Sequence, residues 1–362
     1  MASKILLTAD QMATSSTGLY HFTLELAREI ITQNSGHYRL NFLVPSHLKD
    51  DHVFGKATYR TRSVFNKTLW KFYSEFDLIH FTQQHPTLIK PTKIKGKKIL
   101  TIHDLNYIYE YPANSEEYKN FEYNLSKWVE AADHLTAISQ YAAHDIARHF
   151  NYPIQDIKVI YNGVNIPNIP TEQIDTHTPK YRPARPFLFT IGTVVSKKNF
   201  HVLPGMMHYL DFDLVIAGRL DESGKDYYQR ILDECQEHGI SPDRIHLIGE
   251  VSELDKHWYY KHCTAFVFPS IAEGFGLPVL EAYYYHKPTF LSNHTALPEI
   301  GGEAAYYFTS FEPEEMAEVV KKGLSDFPHS DKVKLAQERV ELFSWKKSAA
   351  DYLSLYKEIL KK

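Results

Sequence analysis

Two glutamates eight residues apart are the first feature of this sequence that could do chemistry. Glu273 precedes a turn with two glycines, Gly274 and Gly276, and Glu281 falls in the helix expected to begin near Pro278. The glycines let a ligand approach the backbone, and a helix start offers N–H groups to an anion. Carboxylates accept hydrogen bonds from hydroxyls, so the block fits a polyhydroxylated ligand that carries a phosphate. Acidic residues at an ordinary helix start would explain either glutamate alone, but not the whole block.

Two further candidates follow apolar runs that are typical of buried strands. Lys197 and Lys198 come after Phe187–Ile191, and His103 comes directly after Ile99–Ile102. A lysine pair is usually a solvated loop and a lone histidine is usually structural. At the carboxyl end of a parallel strand, however, both positions favour a role in ligand binding.

Short apolar runs alternate with helix-length segments along the whole chain, which predicts parallel βαβ units with right-handed crossovers. The runs form two series. The first series is Lys4–Thr8, Leu40–Val44, Leu78–Phe81, Ile99–Ile102, His134–Ile138 and Val159–Tyr161, and the second is Phe187–Ile191, Asp213–Ala217, Ile245–Leu247, Ala265–Phe268 and Pro288–Leu291. The fold class is therefore α/β, with two Rossmann-like doubly wound domains.

A proline-rich stretch at residues 163–186 separates the two series and has the composition of a linker. We predict a first domain at residues 1–164, a second at 165–341, and a terminal helix at 342–362. Because ligands of open α/β sheets bind at the carboxyl ends of the strands, we expect the two sheets to face each other across a cleft.

Composition excludes several classes of protein. The net charge of −4 gives no general attraction to nucleic acid. With two cysteines, Cys235 and Cys263, a disulfide framework is not expected. No signal-like segment and no run of 18 apolar residues occurs, so we expect a cytoplasmic protein. The first strand is not followed by G-x-G-x-x-G, which disfavours a nicotinamide dehydrogenase, and the 20 histidines show no metal-ligand spacing.

The glutamate block resembles the E-x7-E element of glycosyltransferase family 4, the group 1 glycosyltransferases of GT-B fold. The other matches follow the order of that family along nearly the whole chain. They are Thr101–Asp104, Ala137–Ser139, Ile160–Val164, Gly192–Asn199, Val215–Arg219, Gly249–Val251 and Leu297–Glu299. Within the family, the Gly-Thr…Lys-Lys-Asn form is most similar to bacterial mannosyltransferases of surface-polysaccharide assembly.

The resemblance implies a role for each candidate residue. The second domain would bind a nucleotide-diphosphate sugar, GDP- or UDP-linked, and the first would hold a glycan or lipid-linked acceptor, with the terminal helix crossing back onto the first domain. Lys198 and Lys197 would meet the donor diphosphate, Glu281 the ribose and Glu273 the transferred hexose. The remaining donor-binding residues would be Gly18, Val251, Gly274, Phe275, Gly276 and Leu277, and His103 would lie against the donor sugar near the reacting carbon.

The expected reaction is glycosyl transfer with retention of configuration, without a metal or other cofactor. Two alternatives stay open: a nucleotide-sugar 2-epimerase of the same fold, and a non-catalytic protein that binds sugar nucleotides. Asp211-Phe-Asp213 looks like the metal-binding D-x-D of the other large glycosyltransferase class, but its place at the start of a strand favours a structural role. The basic stretch Lys90–Lys98 is compatible with peripheral contact to anionic lipid or with an acidic acceptor, although a solvated loop is the more common role of such a stretch.

The sequence departs from the family pattern at three places. Thr193 stands where many relatives have arginine, and Thr17 replaces one of two glycines before the first helix. After Glu281, three tyrosines and His286 replace small residues and a glycine, which predicts a bulkier core in that region.

Overall fold

The computed structural model describes residues 2–13, 18–50, 53–55, 57–61, 73–85, 94–167, 169–220 and 224–361. The predicted turn at Thr17 and the lysines Lys90 and Lys93 of the basic stretch lie outside these ranges. Two of its remaining lysines, Lys97 and Lys98, pair with Asp133 at 3.4 and 2.9 Å.

The chain divides into two compact units. The first consists of Met1–Gly163 and Phe343–Lys362, and the second of Val164–Leu342. Each is built on a parallel sheet. The predicted α/β class with two Rossmann-like domains is confirmed.

The strands of the two sheets are short and mostly buried. Those of the first unit are β1 (Lys4–Thr8), β2 (Arg39–Val44), β3 (Thr58–Thr61), β4 (Leu78–Phe81), β5 (Lys97–Ile102), β6 (His134–Ala137) and β7 (Ile157–Val159). Those of the second are β8 (Phe187–Ile191), β9 (Asp213–Ala217), β10 (Ile245–Gly249), β11 (Ala265–Phe268), β12 (Thr289–Ser292) and β13 (Tyr306–Phe308). The strand order is β3-β2-β1-β4-β5-β6-β7 in the first sheet and β10-β9-β8-β11-β12-β13 in the second.

Helices connect the strands of each unit. In chain order they are α1 (Gly18–Gln33), α2 (Tyr107–Glu110), α3 (Glu116–Ala131), α4 (Gln140–His149), α5 (Thr171–Thr176), α6 (Leu203–Met207), α7 (Lys225–Glu237), α8 (Glu253–His262), α9 (Leu277–Tyr284), α10 (Leu297–Gly301), α11 (Pro313–Asp326), α12 (Lys332–Leu342) and α13 (Trp345–Lys361). Serine side chains cap three of them: Ser115, Ser139 and Ser252 accept backbone N–H groups of α3, α4 and α8, which would otherwise lack partners.

The terminal helix α13 belongs to the first unit, as predicted, and it packs against α1. Its tyrosines Tyr352 and Tyr356 are fully buried. The hydroxyl of Tyr356 lies 2.6 Å from Nδ1 of His80 on β4, and that of Tyr352 lies 3.1 Å from Oγ1 of Thr101 on β5. Nε2 of His80 lies 2.7 Å from the same Thr101 oxygen, so helix and sheet share one buried hydrogen-bonded network.

Three strand predictions need correction. Strands β3 and β13 had no counterpart among the predicted runs, and both are short sheet-edge strands whose residues are mostly not fully buried. The run Val159–Tyr161 was placed two residues too late, because the strand that pairs with β6 is Ile157–Val159. Edge strands bury less surface, so their sequences carry a weaker apolar signal.

The predicted bulk after Glu281 is present. Tyr283 is buried, and its hydroxyl donates to the carbonyl of Gly301 at 2.8 Å. His286, which stands at the position of the family glycine, adopts a left-handed conformation with φ of +55°. Residues other than glycine seldom adopt this conformation, so the backbone of the turn after α9 is strained.

Candidate active site

The carboxyl ends of β8 and β11 bring two predicted site residues together. These strands are neighbours in the second sheet and run parallel, so the loops that follow them meet at one edge. The carbonyl of Lys197, in the loop after β8, accepts hydrogen bonds from Ile271 N at 2.8 Å and Ser270 Oγ at 3.0 Å, both in the loop after β11. The two loops are therefore fastened to each other through the backbone of Lys197.

Lys198 and Glu273 form an ion pair at this junction. Nζ of Lys198 lies 2.6 Å from Oε1 of Glu273, and the two side chains are only 13% and 12% exposed. Ser270 Oγ lies 2.7 Å from the same carboxylate oxygen, which therefore shares the single hydroxyl proton of Ser270 with the Lys197 carbonyl. Thr295 Oγ1 accepts from Glu273 N at 3.0 Å, so the glutamate is held by its backbone as well as its side chain. The pair is a fixed unit of cation and anion at the carboxyl ends of the strands, which is where ligands of such sheets bind.

Gly192, directly after β8, makes room for this lysine. A Cβ atom at residue 192 would lie 3.1 Å from Cε of Lys198, closer than ordinary packing allows. The aliphatic part of Lys198 therefore lies over bare backbone.

The glycine turn leads directly into α9. Gly274, Phe275 and Gly276 are buried, and Gly276 has φ of +109°. A Cβ at Gly276 would lie 2.9 Å from Cδ2 of Leu297, so both conformation and space require glycine. Because the residue before Leu277 has no side chain, no side-chain cap covers the start of this helix, and its positive end faces the loop that carries Glu273.

Glu281 lies in the second turn of α9 and is held by two residues of α8. Its Oε1 is 3.2 Å from Nζ of Lys256, and its Oε2 accepts a hydrogen bond from the Tyr260 hydroxyl at 2.9 Å. All three residues are buried. Burial alone would lower the pKa of Lys256, but the carboxylates of Glu281 and Glu253 raise it above its usual value, so the ammonium stays charged.

Val251 is half-buried and lies two residues before the first residue of α8. Ser252 and Asp255 cap α8 reciprocally, with each side chain accepting from the other residue's backbone N–H. The predicted base-binding stretch thus leads into the helix that supports Glu281.

In the first unit, His103 follows β5 and is 7% exposed. Its Nε2 lies 2.8 Å from the carbonyl of Thr82 and must donate to it, since a carbonyl oxygen only accepts. Burial lowers the pKa of His103, and the neutral ring therefore carries its proton on Nε2 and a lone pair on Nδ1. The edge of the Phe22 ring packs against it at 4.5 Å between centroids.

Gly18 begins α1 and is exposed. A Cβ at this position would meet no atom of the described residues within 4 Å, so packing against that part of the chain does not require glycine there.

The two carboxylates of the D-x-D segment both lie beside Arg185. Asp211 is 98% exposed and 3.9 Å from the guanidinium, whereas Asp213 is 3% exposed and 2.8 Å from it. Asp213 is also the first residue of β9, at the opposite edge of the sheet from Lys198. Within the described part of the chain, no cluster of three or more His, Cys, Asp or Glu residues could hold a metal ion.

A cavity of about 740 Å³ lies in the first unit, away from these residues. Its lining includes Lys4, Arg39 and Thr58, the first residues of β1, β2 and β3. It therefore lies at the amino ends of the strands, whereas His103 lies at the carboxyl end of β5.

The sequence prediction missed Lys256, Tyr260, Ser270 and Thr295. Ser270 was visible within the block that begins at Ala265, three residues before Glu273. The other three lie on separate elements, and nothing in their local sequence points to either glutamate.

Two family models match the chain: "Glycosyltransferase Family 4" over residues 29–167 and "Glycosyl transferases group 1" over residues 174–339. The serotype-specific mannosyltransferase WbdA of Escherichia coli is 28% identical over 274 residues, covering 71% of this chain and 33% of WbdA. The O-antigen chain mannosyltransferase B of Escherichia coli is 27% identical over 282 residues, covering 75% of this chain and 73% of that protein. The chain thus spans about a third of the length of WbdA.

Solved structures share the fold. A glycosyltransferase from Rickettsia africae ESF-5 superposes with a TM-score of 0.74 at 18% identity, covering 99% of both chains. Anabaena HepE in complex with UDP and glucose gives 0.76 at 18% identity, covering 97% of this chain and 99% of HepE. No helix in the described ranges is long and apolar enough to cross a membrane. The chain belongs to the group 1 glycosyltransferases of GT-B fold, with a family 4 domain in its first unit and a group 1 domain in its second.

Proposed function

We propose that this protein is a retaining hexosyltransferase that uses a nucleotide-diphosphate sugar as donor and a glycan or lipid-linked glycan as acceptor. The observation that carries the proposal is the Lys198–Glu273 ion pair beside the start of α9, inside the group 1 domain. The lysine and the helix start, which has no side-chain cap, suit a phosphate, and the carboxylate suits the hydroxyls of a sugar. These groups lie next to one another.

The donor is assigned along the second unit. Lys198 and Lys197 bind the diphosphate, together with the backbone amides of Gly274, Phe275 and Gly276 and the helix start at Leu277. Glu273 accepts hydrogen bonds from the hexose. Glu281 accepts them from the ribose, and the stretch at Val251 lies along the base.

The reaction breaks the bond between the anomeric carbon and the phosphate oxygen and forms one from that carbon to an acceptor hydroxyl oxygen. The proton of the acceptor hydroxyl passes to the departing phosphate oxygen on the same face of the sugar, so configuration is retained. Negative charge grows on the diphosphate as its bond breaks, and Lys198 stabilises it. The protein otherwise contributes positioning.

From the first unit, we assign His103 and Gly18 to the donor. A neutral imidazole with its proton directed at Thr82 presents only an acceptor nitrogen, which suits a contact to a sugar hydroxyl. The same unit holds the acceptor.

Mannose is the proposed hexose, carried by GDP, with a UDP-hexose as the alternative donor. Support comes from the relatives, since WbdA is named as a serotype-specific mannosyltransferase and the other protein as O-antigen chain mannosyltransferase B. The proposed setting is surface-polysaccharide assembly in the cytoplasm, with peripheral contact at the inner face of the membrane where a lipid-linked acceptor would lie.

The stereochemistry of the product tests the mechanism. GDP-α-mannose and UDP-α-glucose are each supplied with octyl α-mannoside and octyl α-mannobioside, and the anomeric configuration of the product is read by NMR. We expect an α-linked product, identified for mannose from the one-bond carbon–proton coupling. A β-linked product would require a general base opposite the leaving group and would overturn the same-face mechanism.

The two alternatives are tested in the same reactions. An epimerase would change the sugar of the donor without any acceptor, whereas a transferase releases nucleotide diphosphate in step with new glycoside. A non-catalytic binding protein would show donor binding with neither product. We expect glycoside formation that depends on acceptor.

A further inference from the structure

Lys256 is a buried lysine that the proposed reaction does not use. It is 8% exposed in the middle of α8, and its Nζ lies 3.2 Å from Glu281 Oε1 and 2.8 Å from Glu253 Oε2. Lysine is rarely buried to this extent unless it is paired, because removing an ammonium from water is costly. The burial of Lys256 therefore indicates that this lysine has a role in holding Glu281.

The carboxylate of Glu281 is held at both oxygens. Lys256 donates to Oε1 and the Tyr260 hydroxyl donates to Oε2. An ionised carboxylate accepts about four hydrogen bonds, so each oxygen keeps capacity for one more donor. Two hydroxyls on neighbouring carbons, as in a ribose, match two oxygens fixed in this way.

Lys256 also supplies the charge that a buried carboxylate needs. His257, the next residue, does not supply a second positive charge, because burial and then Lys256 lower its pKa to about 4. Glu253 also pairs with Lys256, but its side chain is 57% exposed and water can solvate it. The buried partner, Glu281, depends on Lys256 far more than Glu253 does.

We propose that Lys256 and Tyr260 are positioning residues that hold the Glu281 carboxylate ready for the vicinal diol of the donor ribose. This inference rests on the proposed donor role of Glu281. It adds a physical link between two parts of the proposed nucleotide site. Helix α8 begins at the stretch assigned to the base, and it carries both residues that hold Glu281, the residue assigned to the ribose.

The test compares nucleotides that differ only in the diol. Binding of GDP and of 2′,3′-dideoxy-GDP is measured by titration calorimetry, with UDP and its dideoxy form in parallel. We expect wild-type protein to bind the diol-containing nucleotide about 10- to 100-fold more tightly, the range for hydrogen bonds to a charged group. Lys256→Met should reduce that ratio to about two-fold or less, mainly by weakening GDP and hardly changing dideoxy-GDP.

Lys261→Met is the matched control, because Lys261 lies on the same helix but pairs with Asp175 instead of Glu281. It should keep the wild-type ratio. Tyr260→Phe removes one hydroxyl with little change in shape, and it should lower the ratio about three- to ten-fold. In steady-state assays both test variants should raise the donor KM and change kcat little, which general loss of packing would not do.

The possible outcomes separate this inference from the proposed function. A wild-type ratio near one would mean that Glu281 does not bind the ribose, and both assignments would fall. A normal wild-type ratio that persists in Lys256→Met and Tyr260→Phe would overturn only the positioning role. If thermal unfolding shows that Lys256→Met does not fold, the ratio in Tyr260→Phe decides the question.

Discussion

The two units differ in how they enclose several of their titratable groups. In the first, His80 and His103 are buried as neutral rings that hydrogen-bond to hydroxyls and a carbonyl. In the second, Lys256 and Glu281 are buried as a charged pair, and Lys198 and Glu273 form another charged pair that is largely shielded from solvent.

The contrast matches the parts of the substrate that each unit is proposed to contact. A nucleotide diphosphate carries several negative charges, and fixed cations in a site of low dielectric attract it strongly. The hexose of the donor, which His103 is proposed to contact, is neutral, and a hydrogen-bonding group without charge suffices for it. Under this proposal, two sheets of the same class recognise different chemical groups through the residues that follow their strands.

The largest expected effect is on the charged side of this comparison. Lys198→Ala should lower kcat by roughly 10²–10³-fold, because the charge it meets grows as the phosphate bond breaks. Donor affinity should change less, since the contact is stronger in the transition state than in the ground state. Steady-state kinetics measure both. Lys321→Ala, which removes a surface pair with Glu318 in the same unit, is the control. A kcat within a few-fold of wild type would remove Lys198 from the mechanism.

Next in size is the effect of Glu281→Gln. This variant keeps the shape of the side chain but removes its charge, and we expect donor affinity to fall about 10- to 100-fold. Because the ribose contact is equal in ground and transition states, kcat at saturating donor should stay within a few-fold of wild type. Glu318→Gln serves as the surface control. A large drop in kcat with unchanged affinity would reverse the roles given to Lys198 and Glu281.

The neutral side of the comparison predicts a pH dependence of stability. Burial, reinforced by His103, lowers the pKa of His80 to about 3, whereas the unfolded chain has the ordinary value near 6.5. The unfolded state therefore binds the proton first, and the stabilisation is complete above pH 6.5 and declines as the pH falls toward 3. Lowering the pH from 7 to 5 should therefore reduce the free energy of unfolding of the first unit by about 2 kcal/mol through His80 alone.

His80→Gln has no such proton to bind. Denaturant unfolding at the two pH values should show that the variant loses about 2 kcal/mol less than wild type on acidification. The exposed His37→Gln variant should behave as wild type does. Equal acid sensitivity of the His80 variant and wild type would mean that His80 is protonated in the folded state.

The smallest expected effect is no change. We predict that excess EDTA leaves the initial rate unchanged, because Lys197, Lys198 and the start of α9 supply positive charge at the diphosphate. Rates are compared before and after chelation, then with manganese added back. Loss of activity that manganese restores would show that lysine charge is not sufficient.

The general fold was predictable because most strands bury runs of apolar residues, as β8 and β11 do. Strand β3, with the sequence Thr-Tyr-Arg-Thr, carries no such run and owes its conformation to pairing with β2. Tertiary pairing of this kind cannot be read from four residues.

In the candidate site, local patterns identified Lys198, Glu273 and Glu281 as polar residues at strand ends and a helix start. The pairing of Lys198 with Glu273 was not predictable, because it joins residues 75 positions apart. Lys256 was missed because a lysine in a helix with other charged residues is normally solvent-facing. Only the packing of α8 against α9 shows that this lysine points inward.

The attachment of α13 to the first sheet bears on how the chain is made. Ribosomes synthesise the first sheet early and α13 only after the whole second unit. Until then, His80 and Thr101 lack the hydroxyls of Tyr356 and Tyr352, and the face of α1 that packs on α13 is uncovered. The second unit, by contrast, is one continuous segment of chain. The first unit therefore cannot complete its native contacts until the last residues of the chain have been made, although most of its sequence precedes the second unit.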